Sequence, residues 1–209
     1  MPVGRRAILT GPALFPGALL LASASAKAEE ADLARAAQFI RDSGNRLAAL
    51  GRGNPTPEEK QRRLLAFLED VVDVDGVARF CLGRFWRVAS PAQQTDYLRL
   101  FRLVLVNSVS PRIKDYPEGG MQVTIDPPAR DGAVIEVPTV VARTNDSEAP
   151  LRVTWMIGTD TGRLRIVDII AEGMSLRLTQ RSDYSAFLGR NDGNVETLLH
   201  ALRQQTGGG

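Results

Sequence analysis

The chain has 209 residues, 44% hydrophobic and 24% charged, with 26 Lys and Arg against 24 Asp and Glu. That is one domain's length of globular composition, with enough apolar residues for a packed core. A near-balanced charge with no clustered run of Lys and Arg excludes nucleic acid as the expected partner, and one Cys with one His excludes an intramolecular disulfide and a zinc site of the usual kind.

The N-terminus reads as a secretory signal peptide over residues 1–28. Arg5 and Arg6 precede an apolar run from Ala7 to Ala22, and the small-residue stretch Ala22 to Ala28 supplies an A-x-A-like cleavage site. The apolar run carries Pro12 and Pro16 and is short for a bilayer span, so removal and export to the periplasm are expected. The Arg5-Arg6 pair leaves the export route open between the two bacterial pathways. One domain is expected over 29–205, with a disordered tail at 206–209.

The first half has helical spacing. Ala31 to about Leu50 forms one helix, followed by a loop at Gly51-Arg52-Gly53-Asn54-Pro55. Thr56-Pro57-Glu58-Glu59 is a capping box with proline at the first helical position, opening a helix through Leu64, Phe67, Leu68 and Val71. A short helix from Val74 to Leu82 closes at Gly83. Ser90-Pro91-Ala92-Gln93 is a second capping box, and the helix behind it, Ala92 to about Val109, is the most apolar of the chain. Its polar residues Asp96, Arg99 and Arg102 make one narrow stripe. Such a helix needs burial over most of its circumference, either inside the core or along an internal cavity.

The second half changes to a period of two. Met121, Val123 and Ile125 alternate with polar residues, and Asp131-Gly132 signals a hairpin. Ala133 to Arg143 is a second strand whose Pro138 suggests an edge or a bulge. Beyond the polar loop Thr144 to Pro150, Leu151, Val153, Trp155 and Ile157 alternate cleanly. A turn at Thr159 to Gly162 leads to a strand from Leu164 to Ile170. The class is α+β: a four-stranded antiparallel sheet packed against several helices. Two helices follow Gly173, the last with Val195, Leu198, Leu199 and Leu202 on one face.

Catalytic signals are few. His200 sits on the last helix and reads as a solvated or packing residue; Cys81, between Phe80 and Leu82, reads as a small buried hydrophobe. There is no phosphate-binding glycine loop and no Gly-x-Ser-x-Gly elbow. Asp168 and Glu172 flank the end of the last strand. Capping the next helix, or pairing with Arg165 or Arg181, accounts for them without acid–base work. No catalytic residue, metal or cofactor is expected. An apolar helix opposite a sheet with apolar inner positions either fills a core or encloses a ligand, and periodicity does not separate the two.

Longer motifs add what periodicity lacks. Leu82-Gly83-Arg84-Phe85-Trp86-Arg87-Val88-Ala89-Ser90-Pro91-Ala92-Gln93, Val137-Pro138-Thr139, and Val167-Asp168-Ile169-Ile170-Ala171-Glu172-Gly173-Met174-Ser175-Leu176 together resemble segments of the MlaC/Ttg2D (toluene-tolerance) family. Over about residues 30 to 205 the resemblance implies an NTF2-like fold that holds lipid acyl chains inside an apolar pocket. It implies a monomeric, non-enzymatic carrier of phospholipid, or of a hopanoid-type lipid if the chain is similar to the hopanoid-associated HpnM branch. It further implies docking to the MCE-domain subunit of an inner-membrane ABC transporter and to an outer-membrane lipoprotein–porin complex. Carried onto this sequence, the lipid-binding positions are Tyr97, Phe101, Leu105, Val137, Val140, Trp155, Ile157, Ile169 and Met174. Each would also fit a filled core. The chain departs from the family pattern at Asn107-Ser108-Val109-Ser110-Pro111, late in the long helix, and at Pro117-Glu118-Gly119-Gly120. Two other readings use the same fold: an enzyme acting on a small apolar substrate, with Asp168 as its ionisable group, and a non-lipid adaptor with a closed core.

Overall fold

A computed structural model describes residues 17–50, 52–53, 55–114, 121–143, 149–159 and 162–207. The first part of the expected signal peptide, the loop at Pro117 to Gly120, most of the loop from Thr144, the tip of the Thr159 to Gly162 turn and the last two glycines lie outside them. The chain divides into two compact units, Met1–Asp32 and Leu33–Gly209. Helix α1, Gly17–Ala49, starts earlier than the sequence reading placed it, because the Ala- and Leu-rich stretch before Ala31 consists largely of strong helix formers. In the first unit the described residues are helical. No helix among the described residues is long and apolar enough to cross a membrane.

In the second unit, α1 is followed by α2 (Pro57–Val71), α3 (Val74–Leu82), a 3₁₀ segment at Gly83–Arg87 and α4 (Pro91–Lys114). Both capping boxes form. Thr56 Oγ1 accepts from Glu59 N–H at 3.2 Å while Glu59 Oε2 accepts from Thr56 N–H. Ser90 and Gln93 make the same reciprocal pair at the start of α4. Strands β1 (Met121–Ile125), β2 (Ala129–Asp131), β3 (Val134–Arg143), β4 (Leu151–Gly158), β5 (Arg165–Ala171) and β6 (Met174–Ser175) precede α5 (Leu176–Arg190) and α6 (Val195–Thr206). Helix α6 runs to Thr206, where the tail was expected to begin, and Gly207 closes it in the left-handed conformation.

The sheet is antiparallel in the order β1-β3-β4-β5-β6, with β2 also paired to β3, so it has six strands where four were expected. The two additions, of three and two residues, are too short to leave a periodic signal. Pro138 is not on an edge: β3 is paired on both sides. Its carbonyl accepts from Asp126 N–H at 2.9 Å, so its missing N–H faces the gap between β1 and β2 and costs no bond to β4.

Apolar side chains gather in two cores. One is helical, with Ala78, Cys81, Leu82, Tyr97, Leu100, Phe101, Leu188 and Leu199 from α3, α4, α5 and α6. The other lies between the sheet and the helices, with Ile40 of α1, Phe67 and Leu68 of α2, and Val106 of α4 over Ile135, Val137, Ile157 and Ile166. Helix α4 serves both cores, which is why it is apolar most of the way round. Its polar stripe pins it to its neighbours. Asp96 pairs with Arg203 of α6 at 2.5 Å, and Arg102 with Glu69 of α2 at 2.9 Å and Asp75 of α3 at 2.7 Å.

Candidate functional site

Strand register sorts the sheet residues into two faces, because cross-strand partners share a face. Ile135–Ile157–Ile166 form one row across β3, β4 and β5, and Val137–Trp155–Ile169 the next. The row Ile125–Thr139–Val153–Ala171–Met174 runs across β1, β3, β4, β5 and β6, and Val123–Val141–Leu151 follows. All four rows lie on the face covered by α1, α2 and α4. A bulge at Met156/Ile157 keeps Ile166 on that face.

Burial falls from one end of this face to the other. The first row is closed, at 0–5% exposure. Val137, Thr139 and Val153 in the next two rows are still buried, while Trp155, Ile169, Ile125, Ala171 and, in the last row, Val141 are half-buried. Val123 and Leu151 of the last row are 46% and 43% exposed, and Met174, at the β6 edge of the third row, is 65% exposed. Leu105 and Val109 of α4 are half-buried against the same core. An apolar sheet face closed at one end and open at the other is a trough whose floor is already dehydrated and whose mouth is not. Its polar side chains satisfy each other: Trp155 Nε1 donates to Thr139 Oγ1 at 3.0 Å, and Thr139 Oγ1 donates to the Val153 carbonyl at 3.0 Å.

The nine sequence-derived positions divide accordingly. Val137, Trp155, Ile157 and Ile169 share the trough face, and Leu105 packs against it. Met174 stands at its rim, at the end of the row through Ala171. Val140 is on the opposite face, in register with Arg152, because it differs in parity from Val137. Tyr97 and Phe101 sit in the helical core, where the Tyr97 hydroxyl donates to the Ala78 carbonyl at 2.9 Å and the ring meets Trp86, Phe101 and Tyr184. Burial raises the Tyr97 phenol above its ordinary value, so it stays a donor. Sequence reasoning passed over Val123, Ile125, Thr139, Val141, Leu151 and Val153 as site residues. Their signal was parity: counted from Trp155 through the hairpin registers, all six fall on its face.

Asp168 belongs to the other face, in register with Met156. It is buried and fully engaged. Oδ1 accepts from Ile169 N–H at 2.8 Å and from Arg177 N–H at 3.1 Å, while Oδ2 accepts from Ser175 Oγ at 2.5 Å and faces Arg177 Nε at 3.3 Å. The expected helix capping is present, and the ionic partner is Arg177 rather than Arg165 or Arg181. Glu172 Oε1 accepts from Arg152 N–H at 2.7 Å, and Glu172 and Gly173, at φ 48° and 80°, form the tight two-residue turn between β5 and β6. The Asp-to-Ser motif is thus a weld between β5 and α5. His200 is exposed. Among the described residues no three His, Cys, Asp or Glu are placed to hold a metal ion.

A concavity of about 390 Å³ lies off the trough, where the ends of α2, α3 and β5 meet, and it is lined mainly by charged residues. Arg102 already pairs with Glu69 and Asp75 there, and Asp73 caps α3 through Gly76 N–H at 3.1 Å. Its charge makes it unsuited to an acyl chain.

Residues 45–204, well over half the chain, match the MlaC protein family. The chain belongs to the MlaC family. A solved structure of similar fold is the phospholipid-binding protein from Ralstonia solanacearum, determined in complex with a phospholipid. It is 19% identical, the match covers 82% of this chain and 97% of that one, and the TM-score is 0.71. At this identity the likeness is one of fold. The MlaC match begins near the end of α1 and takes in α2, α3, α4, the whole sheet and α5, hence the described trough apart from α1's contribution.

Proposed function

We propose that this MlaC-family chain is a periplasmic lipid carrier that holds phospholipid acyl chains, or those of a hopanoid-like amphiphile, against the open apolar face of its sheet. The observation that carries the reading is that face: rows of Val, Ile, Leu and Trp dehydrated at one end and exposed at the other. The phospholipid held by the similar Ralstonia protein supports the same assignment. Water exposure of a sixteen-carbon chain costs on the order of 12 kcal/mol at about 0.8 kcal/mol per methylene, so a trough that covers one chain removes most of the barrier to crossing an aqueous space.

The mechanism is passive. Thr139 and Trp155 are the polar side chains in the trough rows, and they are bonded to each other. Asp168, the ionisable group an enzyme would need, is on the opposite face and tied to Ser175 and Arg177. Lipid moves by relative affinity, from one membrane complex to the next. By family resemblance those complexes are the MCE-domain subunit of an inner-membrane ABC transporter and an outer-membrane lipoprotein–porin assembly, visited by a monomeric carrier after removal of residues 1–28. Native mass spectrometry of the protein purified from periplasm, followed by lipid extraction, tests the reading. A stoichiometric adduct of phospholipid or hopanoid mass, lost on denaturation, is expected. A bare protein that also takes up no lipid from vesicles would leave the enzyme or adaptor readings in its place.

A further inference from the structure

The sequence contains no basic run, yet the fold assembles a basic surface from two distant segments. Arg79 lies near the end of α3, Arg84 and Arg87 in the 3₁₀ segment, and Arg181 in α5. Arg84 and Arg87, three residues apart in a 3₁₀ turn, project on one side. Arg181 joins them at Gly83: a Cβ at that glycine would stand 3.3 Å from Arg181 Nε, so the missing side chain is what lets the guanidinium settle there.

Three of the four are pre-positioned by aromatic rings. Arg79 lies over Trp86 at 5.3 Å, Arg84 over Phe85 at 4.9 Å, and Arg181 over Phe80 at 4.8 Å. Stacking fixes a guanidinium while leaving its donors pointing outward. None of the four pairs with a carboxylate or hydrogen-bonds to the protein among the described residues. Arg177, the second cation over Phe80, differs in being held by Asp168. Asp183, two residues after Arg181, projects about 200° around α5 and does not offset it.

Bulky apolar side chains accompany the cations. Leu178, one helical turn before Arg181 and on the same side of α5, is 55% exposed, and Val88, the residue that closes the 3₁₀ segment, is 73% exposed. Leu178 and Arg181 share a shallow groove along α5 with Ser182, Ser185 and Ala186. Free phosphate or nucleic acid would use the arginines alone. A bilayer with anionic headgroups uses both classes, phosphates for the guanidinium donors and the headgroup–acyl boundary for Val88 and Leu178. We propose that Arg79, Arg84, Arg87 and Arg181, with Val88 and Leu178, form a docking surface for an anionic lipid bilayer. It would let a carrier dwell at a membrane while it meets its partner; that purpose rests on the carrier reading, but the binding itself does not.

Vesicle flotation of the full chain tests it, with vesicles of phosphatidylcholine alone and of phosphatidylcholine mixed with phosphatidylglycerol. Wild-type protein is expected to bind the anionic vesicles better, and to lose that advantage in high salt. At about fivefold per arginine near an anionic surface, Arg84→Gln with Arg181→Gln should weaken binding about 25-fold. Val88→Asp, at an exposed position where no fold contact is at stake, should also weaken it. Equal binding to both vesicle types, or binding of the double variant and Val88→Asp at the wild-type level, would overturn the proposal. An acidic protein surface would then be the better partner. Phospholipid extracted from the same preparations is counted separately. Its retention in the variants attributes any lost flotation to the docking surface, and its absence from wild type would count against the carrier reading alone.

Discussion

Burial costs a thiolate far more than a thiol, and Cys81 is placed where this matters. It is 1% exposed in the helical core, with its thiol 3.6 Å from the Arg177 carbonyl. Burial, reinforced by the charge of Asp168 and opposed by Arg177 and Arg181, pushes it from an ordinary 9.0 up to about 12. Because the folded value lies above the unfolded one, the neutral thiol favours folding. That contribution is whole below about pH 9 and is lost as the pH rises through about 12. Urea unfolding midpoints should therefore hold steady up to pH 9 and then fall, with the buried phenols of Tyr97 and Tyr184 adding to the decline above their ordinary 10.0. Cys81→Ala should flatten the first part of that fall. A variant with the same profile as wild type would mean the thiol is not buried as described. At the site, Thr139 and Trp155 make the same point in neutral form: both are kept inside an apolar face by bonding to one another or to backbone.

Between elements, the contact with most at stake joins β5 to α5. The Asp168 side chain is 4% exposed and Arg177's 31%, so the pair is poorly hydrated, and Ser175 links it to the helix by accepting from Leu178 N–H at 3.1 Å. Asp168→Asn removes the charge that Arg177 faces and should cost about 3 kcal/mol, as expected for breaking a buried pair from one side. Urea denaturation at neutral pH measures it, and a loss under about 1 kcal/mol would place the pair with exposed ones. The residues behind this weld were legible as a motif, whereas their partner was not. Arg177, Arg165 and Arg181 are all within reach by sequence count, and only the path of the chain through β6 selects Arg177. The starts of α2 and α4 were legible because a capping box is complete within four residues, whereas α1, which lacks one in the sequence, starts earlier than expected. Register was not, since the short β2 and β6 and the bulge at Met156/Ile157 are fixed by packing, and register decides that Val140 leaves the trough face while Met174 reaches its rim.

For the second unit as a whole, the two cores have different work. The helical core is closed, with Tyr97, Leu100 and Leu188 at 0% exposure, while the sheet core opens toward Val123, Leu151 and Met174. In sequence both cores read alike, because an apolar residue at the right spacing looks the same whether its neighbour is protein or lipid. The family resemblance grouped Tyr97 and Phe101 with Trp155 and Ile169, and spacing alone offers no means of separating them. The basic surface was hidden for a different reason: its arginines come from residues 79–87 and from 181, and a count along the chain never brings them together. A carrier built this way holds its lipid along the sheet face, beside Trp155. The chain has two tryptophans, and Trp86 sits at the helical core, so Trp86→Phe leaves Trp155 as the sole reporter. Loading that variant with phospholipid brominated on its acyl chain should quench Trp155 fluorescence strongly, relative to the same lipid without bromine. Stoichiometric loading that leaves Trp155 unquenched would put the acyl chain somewhere other than this face.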